Sequence, residues 1–141
     1  ERVLPIEEVI LGPRKVALLS NEIIKEIQIP LPQFSTILFE KVGGRKADAI
    51  SKVSFTGAAF IEDGIIKDFR VAFGAISATI LRKRDLEQPF IGKTVIELKK
   101  QKNTLIESYS SLIQPIDDQR SNKEYRKTVA LNILNHFIDS L

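Results

Sequence analysis

A pair of glycines followed at once by two cations, Gly43-Gly44-Arg45-Lys46, has the makings of a ligand-binding loop. Glycine-rich turns expose backbone amides that can hold an anion, and adjacent cations add charge. The spacing is not that of a Walker loop, and the segment does not lead from a strand into a helix. Three readings stay open from the residues alone. The stretch is a phosphate grip, a plain hairpin bulge with exposed cations, or a backbone bent to rest against something large that the chain does not contain. The other candidates are weaker. Asp117-Asp118 is a carboxylate pair, but neighbouring side chains point apart, and capping amides or pairing with Arg120 suits them better than acid–base work. His136 falls within the last helical pattern and reads as a packed or surface histidine.

Composition narrows the chemistry further. With no cysteine, the chain has no disulfide, thiolate metal site or cysteine nucleophile, which fits a reducing, cytoplasmic setting. One histidine excludes a His-rich metal centre. A net charge of +3 is too small for a typical nucleic-acid binder, so the basic runs Leu81–Asp85 and Lys99–Lys102 read as solvated surface. No apolar run is long enough to cross a membrane. At 141 residues there is material for one ordinary core. The chain lacks methionine and opens in mid-pattern, so we expect it to be a piece of a longer protein.

The elements that must position these residues change character along the chain. Residues 4–13 predict one helical turn stopped by Gly12-Pro13, and Ile27 and Ile29 alternating with Glu26 and Gln28 predict a strand ending at Pro30. The proline-marked stretch Leu31 to Phe34 predicts a domain boundary. Three strands are expected next: Ser35–Val42, a second through Ile50, Val53 and Phe55, and a third after Asp63-Gly64, the strongest hairpin signal. A bulge near Asp68 would bring Ile66 and Phe69 to one face. The period then becomes helical. A short helix is expected up to Pro89 and Gly92, then one capped by Thr94 with a stripe of Leu98, Leu105, Tyr109 and Leu112. In the last helix Ser121 and Glu124 have capping-box spacing, and the apolar face runs Tyr125, Val129, Ile133, Phe137, with Leu134 and Ile138 beside it. The expected fold class is α+β, a three-stranded antiparallel sheet covered on one face by three helices.

Four ordered blocks resemble one family: LGPRKVALLSNEIIKEIQIP, FEKVGGRKADAISKV, GAISATILRKRDLEQPFIGK and PIDDQRSNKEYRKTVALNIL. They resemble the C-terminal part of the FAD-binding subunit of molybdenum hydroxylases such as xanthine dehydrogenase and carbon monoxide dehydrogenase. The resemblance covers nearly the whole chain and departs from the family pattern at Ala78, where proline is usual.

That resemblance implies that residues 1–32 are the tail of an upstream FAD-binding domain and residues 33–141 are the flavoprotein C-terminal domain. It implies FAD as the cofactor of the full-length subunit, with weak or absent binding here because the main flavin loops lie upstream. Lys41 and Ile24 take positions that approach the flavin, Arg45 takes the place of the family's recurrent arginine, which fixes this turn or faces the iron–sulfur side, and Gly43 and Gly44, which let the backbone approach closely, complete the implied cofactor-binding set. The implied partners are a molybdenum-cofactor subunit, an iron–sulfur subunit or domain, and NAD or another acceptor, with no nucleic acid and no membrane. The implied enzyme is a xanthine dehydrogenase-like oxidoreductase, to which this chain contributes without acting alone. The competing expectation is a freestanding, non-catalytic interaction domain of the same fold without flavin.

Overall fold

In a computed structural model describing residues 1–141, Asp63 and Gly64 both take positive φ, 52° and 73°, as the Asp-Gly pair predicts. They close a hairpin between two ten-residue strands, and the rest of the fold is laid on it. In chain order the elements begin with α1 (Ile6–Val9), β1 (Ile10–Gly12) and β2 (Lys15–Val16). The sheet strands β3 (Thr36–Val42), β4 (Val53–Glu62), β5 (Ile65–Gly74) and β6 (Leu81–Arg82) come next. Then follow α2 (Arg84–Glu87), a 3-10 turn (Gln88–Phe90), α3 (Val95–Lys100), α4 (Lys102–Leu112) and α5 (Lys123–Ser140). The sheet is antiparallel throughout, ordered β3-β4-β5-β6, and helices cover one face.

The expected bulge exists. Phe60 pairs with Asp68 but Ile61 pairs with Ile66, so Lys67 is the extra residue. That slip lets Ile66, Phe69, Val71 and Phe73 all turn to the helical side and become buried. From β4 they meet Val53, Phe55 and Ala59, and from α5 Ala130, Leu134, Phe137 and Ile138. The rings interlock edge-on, Phe55 with Phe73 at 5.1 Å and Phe55 with Phe137 at 5.7 Å, the geometry that aromatic quadrupoles favour. Gly57 lets the helix come this close: a Cβ there would lie 2.6 Å from the Phe137 ring.

Several expectations need correction. The sheet has a fourth strand, the two-residue β6, whose pairs are Ala72 with Arg82 and Phe73 with Leu81. Ile50 precedes β4 and stays exposed. Residues 23–30 form no strand, because no neighbouring strand in this chain lies beside them. Residues 10–16 form a small hairpin directly after the predicted helical turn. The helix capped by Thr94 is real, with both bonds of a capping box to Glu97, but it is interrupted at Gln101. Lys99 and Lys102 clasp that bend to the end of α5 through the Asp139 carbonyl and carboxylate.

The last helix starts one residue later than Ser121 predicts. Asn122 is the cap, its Oδ1 accepting from the Tyr125 amide at 2.8 Å, while the Ser121 amide is taken by Asp118. Asparagine caps as well as serine, so the chain lost nothing by the shift. We therefore expect Asn122→Ala to cost about 1 kcal/mol in chemical unfolding, and Ser121→Ala to stay within about 0.5 kcal/mol. The buried face of α5 holds Phe137, Leu134 and Ile138 as expected, but it continues through Ala130 and Arg126 in place of Val129 and Tyr125, and Tyr125 is 43% exposed.

Candidate functional site

Side chains alternate across a sheet, so one observation sorts both faces. Gly57 faces Phe137, and with it Val53, Phe55 and Ala59 look toward the helices. The register then places Lys41, Ser54 and Gly74 in one row on the opposite face, away from the helices, where Ile80 lies against Gly74 and Phe34 against Arg70. Phe39, Thr56 and Ala72 form the next row, and Ile37, Ala58 and Arg70 the third. Ser54, Thr56, Ala58, Ala72 and Gly74 floor this surface with small residues, Arg70 stands at its far end on β5, and at its β3 edge it carries Ile37 and Phe39, each more than 60% exposed. Lys41 stands at the end of that edge, and no ion pair engages it. A flat, small-residue floor beside an unpaired cation suits a planar, electron-rich group better than a bulky one.

Beyond Lys41 the chain enters the glycine loop. Gly43 is required for space, since a Cβ would lie 2.7 Å from the Ala49 Cβ, whereas Gly44 has open space around it. Arg45 folds back and donates to the Asp48 carbonyl through Nε and Nη2, and Asp48 takes a positive φ of 51°. The guanidinium thus ties its own turn. Gly44, Arg45, Asp48, Ile50, Lys52 and Arg120 border an open cleft of about 500 Å³. Its charge is mostly positive. Of the residues singled out in the sequence, Lys41, Gly43, Gly44 and Arg45 lie together along the end of β3 and the loop after it. Ile24 does not lie on the sheet; it sits 56% exposed in the irregular segment after the small hairpin.

Sequence reasoning missed the residue that holds this end of the molecule together. Arg126 is only 3% exposed, and its Nη1 donates to the carbonyls of Lys52 and Ala75. Nη2 donates to Asp118 Oδ1 at 2.7 Å. One side chain therefore ties the loop before β4, the turn after β5 and the loop before α5. Its signal was its place on an apolar lattice: Arg126, Ala130, Leu134 and Phe137 recur at helical spacing. The Asp118 carboxyl is held below the ordinary carboxylate range, chiefly by the Arg120 amide, with Arg126 and the Ser121 amide adding to it. Asp117 accepts from the Lys123 amide. The carboxylate pair thus holds backbone amides and guanidinium groups, as the sequence reading favoured. His136 lies exposed on α5. On the other edge, Arg82 pairs with the buried Glu87 at 2.8 Å, and Glu87 also accepts from the Val71 amide, which accounts for a charge in the basic run Leu81–Asp85.

These features define an α+β domain whose sheet is packed by helices on one side and exposed along its β3 edge on the other, with a cation and a basic loop at one corner. Residues 39–141 match the CO dehydrogenase flavoprotein C-terminal domain, and the chain belongs to that family, found in the FAD subunits of molybdenum hydroxylases. It is 38% identical to the caffeine dehydrogenase subunit beta of Pseudomonas sp. (strain CBB1) over 99 residues, 67% of this chain and 32% of that one. In fold it matches the Cu,Mo-CO dehydrogenase in its cyanide-inactivated form with a TM-score of 0.83 at 18% identity, covering 98% of this chain and 48% of that one. The CO dehydrogenase of Hydrogenophaga pseudoflava gives 0.82 at 21% identity, over 98% and 47% of the two chains. Quinoline 2-oxidoreductase from Pseudomonas putida 86 gives 0.76 at 20% identity, over 94% and 45%. The chain thus spans about a third of its curated relative and about half of the solved ones. The expected α+β class is what these neighbours have. No helix is long and apolar enough to cross a membrane.

Proposed function

We propose that this chain forms the C-terminal part of the flavin subunit of a molybdenum-containing, xanthine dehydrogenase-like hydroxylase, where it walls one side of the FAD site. On this reading residues 1–32 close the upstream FAD-binding domain and residues 33–141 form the wall. The observation that carries it is Lys41, an exposed cation without an ion pair at the end of the β3 edge, in register with Ser54 and Gly74 on the sheet face away from the helices. FAD held in such a subunit would supply the redox chemistry between iron–sulfur clusters and NAD or another acceptor. The role of this chain is to place a fixed positive charge and an apolar edge against the flavin and to exclude water there. Gly43 and Arg45 hold the loop that follows Lys41, and Ile24 adds an apolar contact from the segment that precedes the sheet.

The relative that oxidises caffeine, a purine, supports a purine-like substrate for the parent enzyme. The solved neighbours include carbon monoxide dehydrogenases, which supports partnership with molybdenum-cofactor and iron–sulfur subunits. A chain without cysteine suits the reducing cytoplasm in which we place the complex.

The test is Lys41→Met in the full-length, flavin-loaded subunit. Loss of a cation that stabilises reduced, anionic flavin should move its potential down by about 30 mV, which for two electrons is about 1.4 kcal/mol. The fold, followed by circular dichroism, should be unchanged. An unaltered potential and flavin spectrum would count against the placement of Lys41 beside the flavin.

A further inference from the structure

Lys41 makes no ion pair, so its place is set by the strand that carries it. The end of that strand hangs on few bonds. The Lys52 amide donates to the Val42 carbonyl at 2.7 Å and closes the ladder directly beside Lys41. From Lys52 the chain of contacts crosses to the helices. Its carbonyl accepts from Arg126 Nη1 at 2.9 Å, and its ammonium lies 5.3 Å over the ring of Tyr125, the residue before Arg126 on α5.

The same guanidinium nitrogen reaches the far end of the row. Lys41 pairs with Ser54, and Ser54 with Gly74. Directly after Gly74, Ala75 takes a positive φ of 63°, a state that is unfavourable for a residue with a Cβ. Its carbonyl accepts from Arg126 Nη1 at 3.0 Å, which holds the strained turn in place. The turn in turn keeps Gly74 close under Ser54, so close that a Cβ on Gly74 would collide with the Ser54 Oγ. Asp118 fixes the other side of the guanidinium, accepting from Nη2 at 2.7 Å while the Arg120 and Ser121 amides hold its carboxylate. Arg126 Nε is buried without an acceptor. An orphaned donor is destabilising, so the group sits where the two carbonyls need it and not where it would satisfy itself best.

We propose that Arg126 is a positioning residue for Lys41, fixing from the helical side the row on which that cation meets the flavin. The inference rests on the reading of Lys41 as the flavin's neighbour, and it adds the part that sets the distance between them. Arg126 itself touches no cofactor. It acts through the Lys52 and Ala75 carbonyls, one at each end of the row. Coulomb attraction falls with distance and with access of water. A row released from α5 therefore lets the ammonium drift outward, and reduced flavin loses part of its stabilisation.

The test is the flavin midpoint potential of Arg126→Lys in the full-length, flavin-loaded subunit, with and without Lys41→Met. Lysine keeps the charge but cannot serve two carbonyls and a carboxylate from one planar fork. A positioning role predicts a reduction equilibrium weakened about threefold, about 14 mV for two electrons. It predicts no further shift from Arg126→Lys once Lys41→Met is present. Arg126→Met, in subunits that keep their flavin, should move the potential in the same sense and again only while Lys41 is there. Amide exchange at Lys52 should quicken in both variants. An unmoved potential in both Arg126 variants, beside a lowered one in Lys41→Met, would overturn the inference and leave the flavin reading standing. An equal shift with and without Lys41 would also overturn it, since residue 126 would then act on the flavin without its help. No shift from Lys41→Met would remove the placement of Lys41 and this inference with it.

Discussion

Arg126→Met should lose about 3 kcal/mol of folding stability in urea titration, although methionine nearly fills the same space. Replacing a buried ion pair by apolar groups can be neutral when both partners go. Here one partner goes alone. Asp118 is left without its closest cation, and the carbonyls of Lys52 and Ala75 lose their donor. Asp118 is partly exposed, so water recovers some of the loss, which keeps the figure below the top of the usual range. Changing Asp118 to Asn in the same chain should recover part of the deficit. The pH dependence follows from the lowered carboxyl. A carboxylate whose folded value lies below its unfolded one stabilises the fold above about pH 4. That contribution fades as acid protonates it. The wild type's lead over Arg126→Met should therefore be full at neutral pH and shrink below about pH 4. The share due to the Lys52 and Ala75 carbonyls should remain, and a lead undiminished in acid would remove the ion pair from the account.

The second large effect lies at the contact between β4 and α5. Phe137 is fully buried and touches two other rings, so Phe137→Ala should cost about 3–5 kcal/mol. Gly57→Ala should cost about 1–3 kcal/mol on its own, because the added methyl would have to push that ring aside. The two changes share one volume. In the double variant the new methyl enters space the ring has vacated, so the combined loss should be smaller than the sum of the single ones. Thermal unfolding of all four chains completes the cycle, and simple additivity would mean the helix shifts freely over the sheet.

Local chemistry explains why some of this fold was legible. Asp63-Gly64 needs no tertiary context, since its turn type follows from the two residues that tolerate positive φ. The bulge could be placed because Ile66 and Phe69 have opposite parity and both had to be inside. Thr94 with Glu97 satisfies a helix start by itself. Failures came where the deciding partner is distant in sequence. Ser121 has a good cap's spacing, but Asp118 competes for its amide and Asn122 is an equal alternative. The face of α5 turned because Arg126 finds three acceptors from separate loops, which no count of apolar residues shows. Glu87 is buried for a similar reason, answering Arg82 and an otherwise open strand amide. The strand pattern at residues 24–29 is sound as a pattern, but a strand needs a neighbour and this chain has none to offer there. At the candidate site, the loop glycines and cations were visible in the sequence. The flat floor opposite Lys41 was not, because Ser54 and Gly74 join it only through register.

The placement of α5 bears on how the polypeptide is made. Synthesis delivers the hairpin of β4 and β5 first, and with it one side of an oily layer whose other half is Ala130, Leu134, Phe137 and Ile138. Until the ribosome has released that stretch, Phe90 and Tyr109 can shield Phe69 and Phe73 only in part, Phe55 lacks its partner Phe137, and the nascent protein carries apolar surface of the kind that sticks elsewhere.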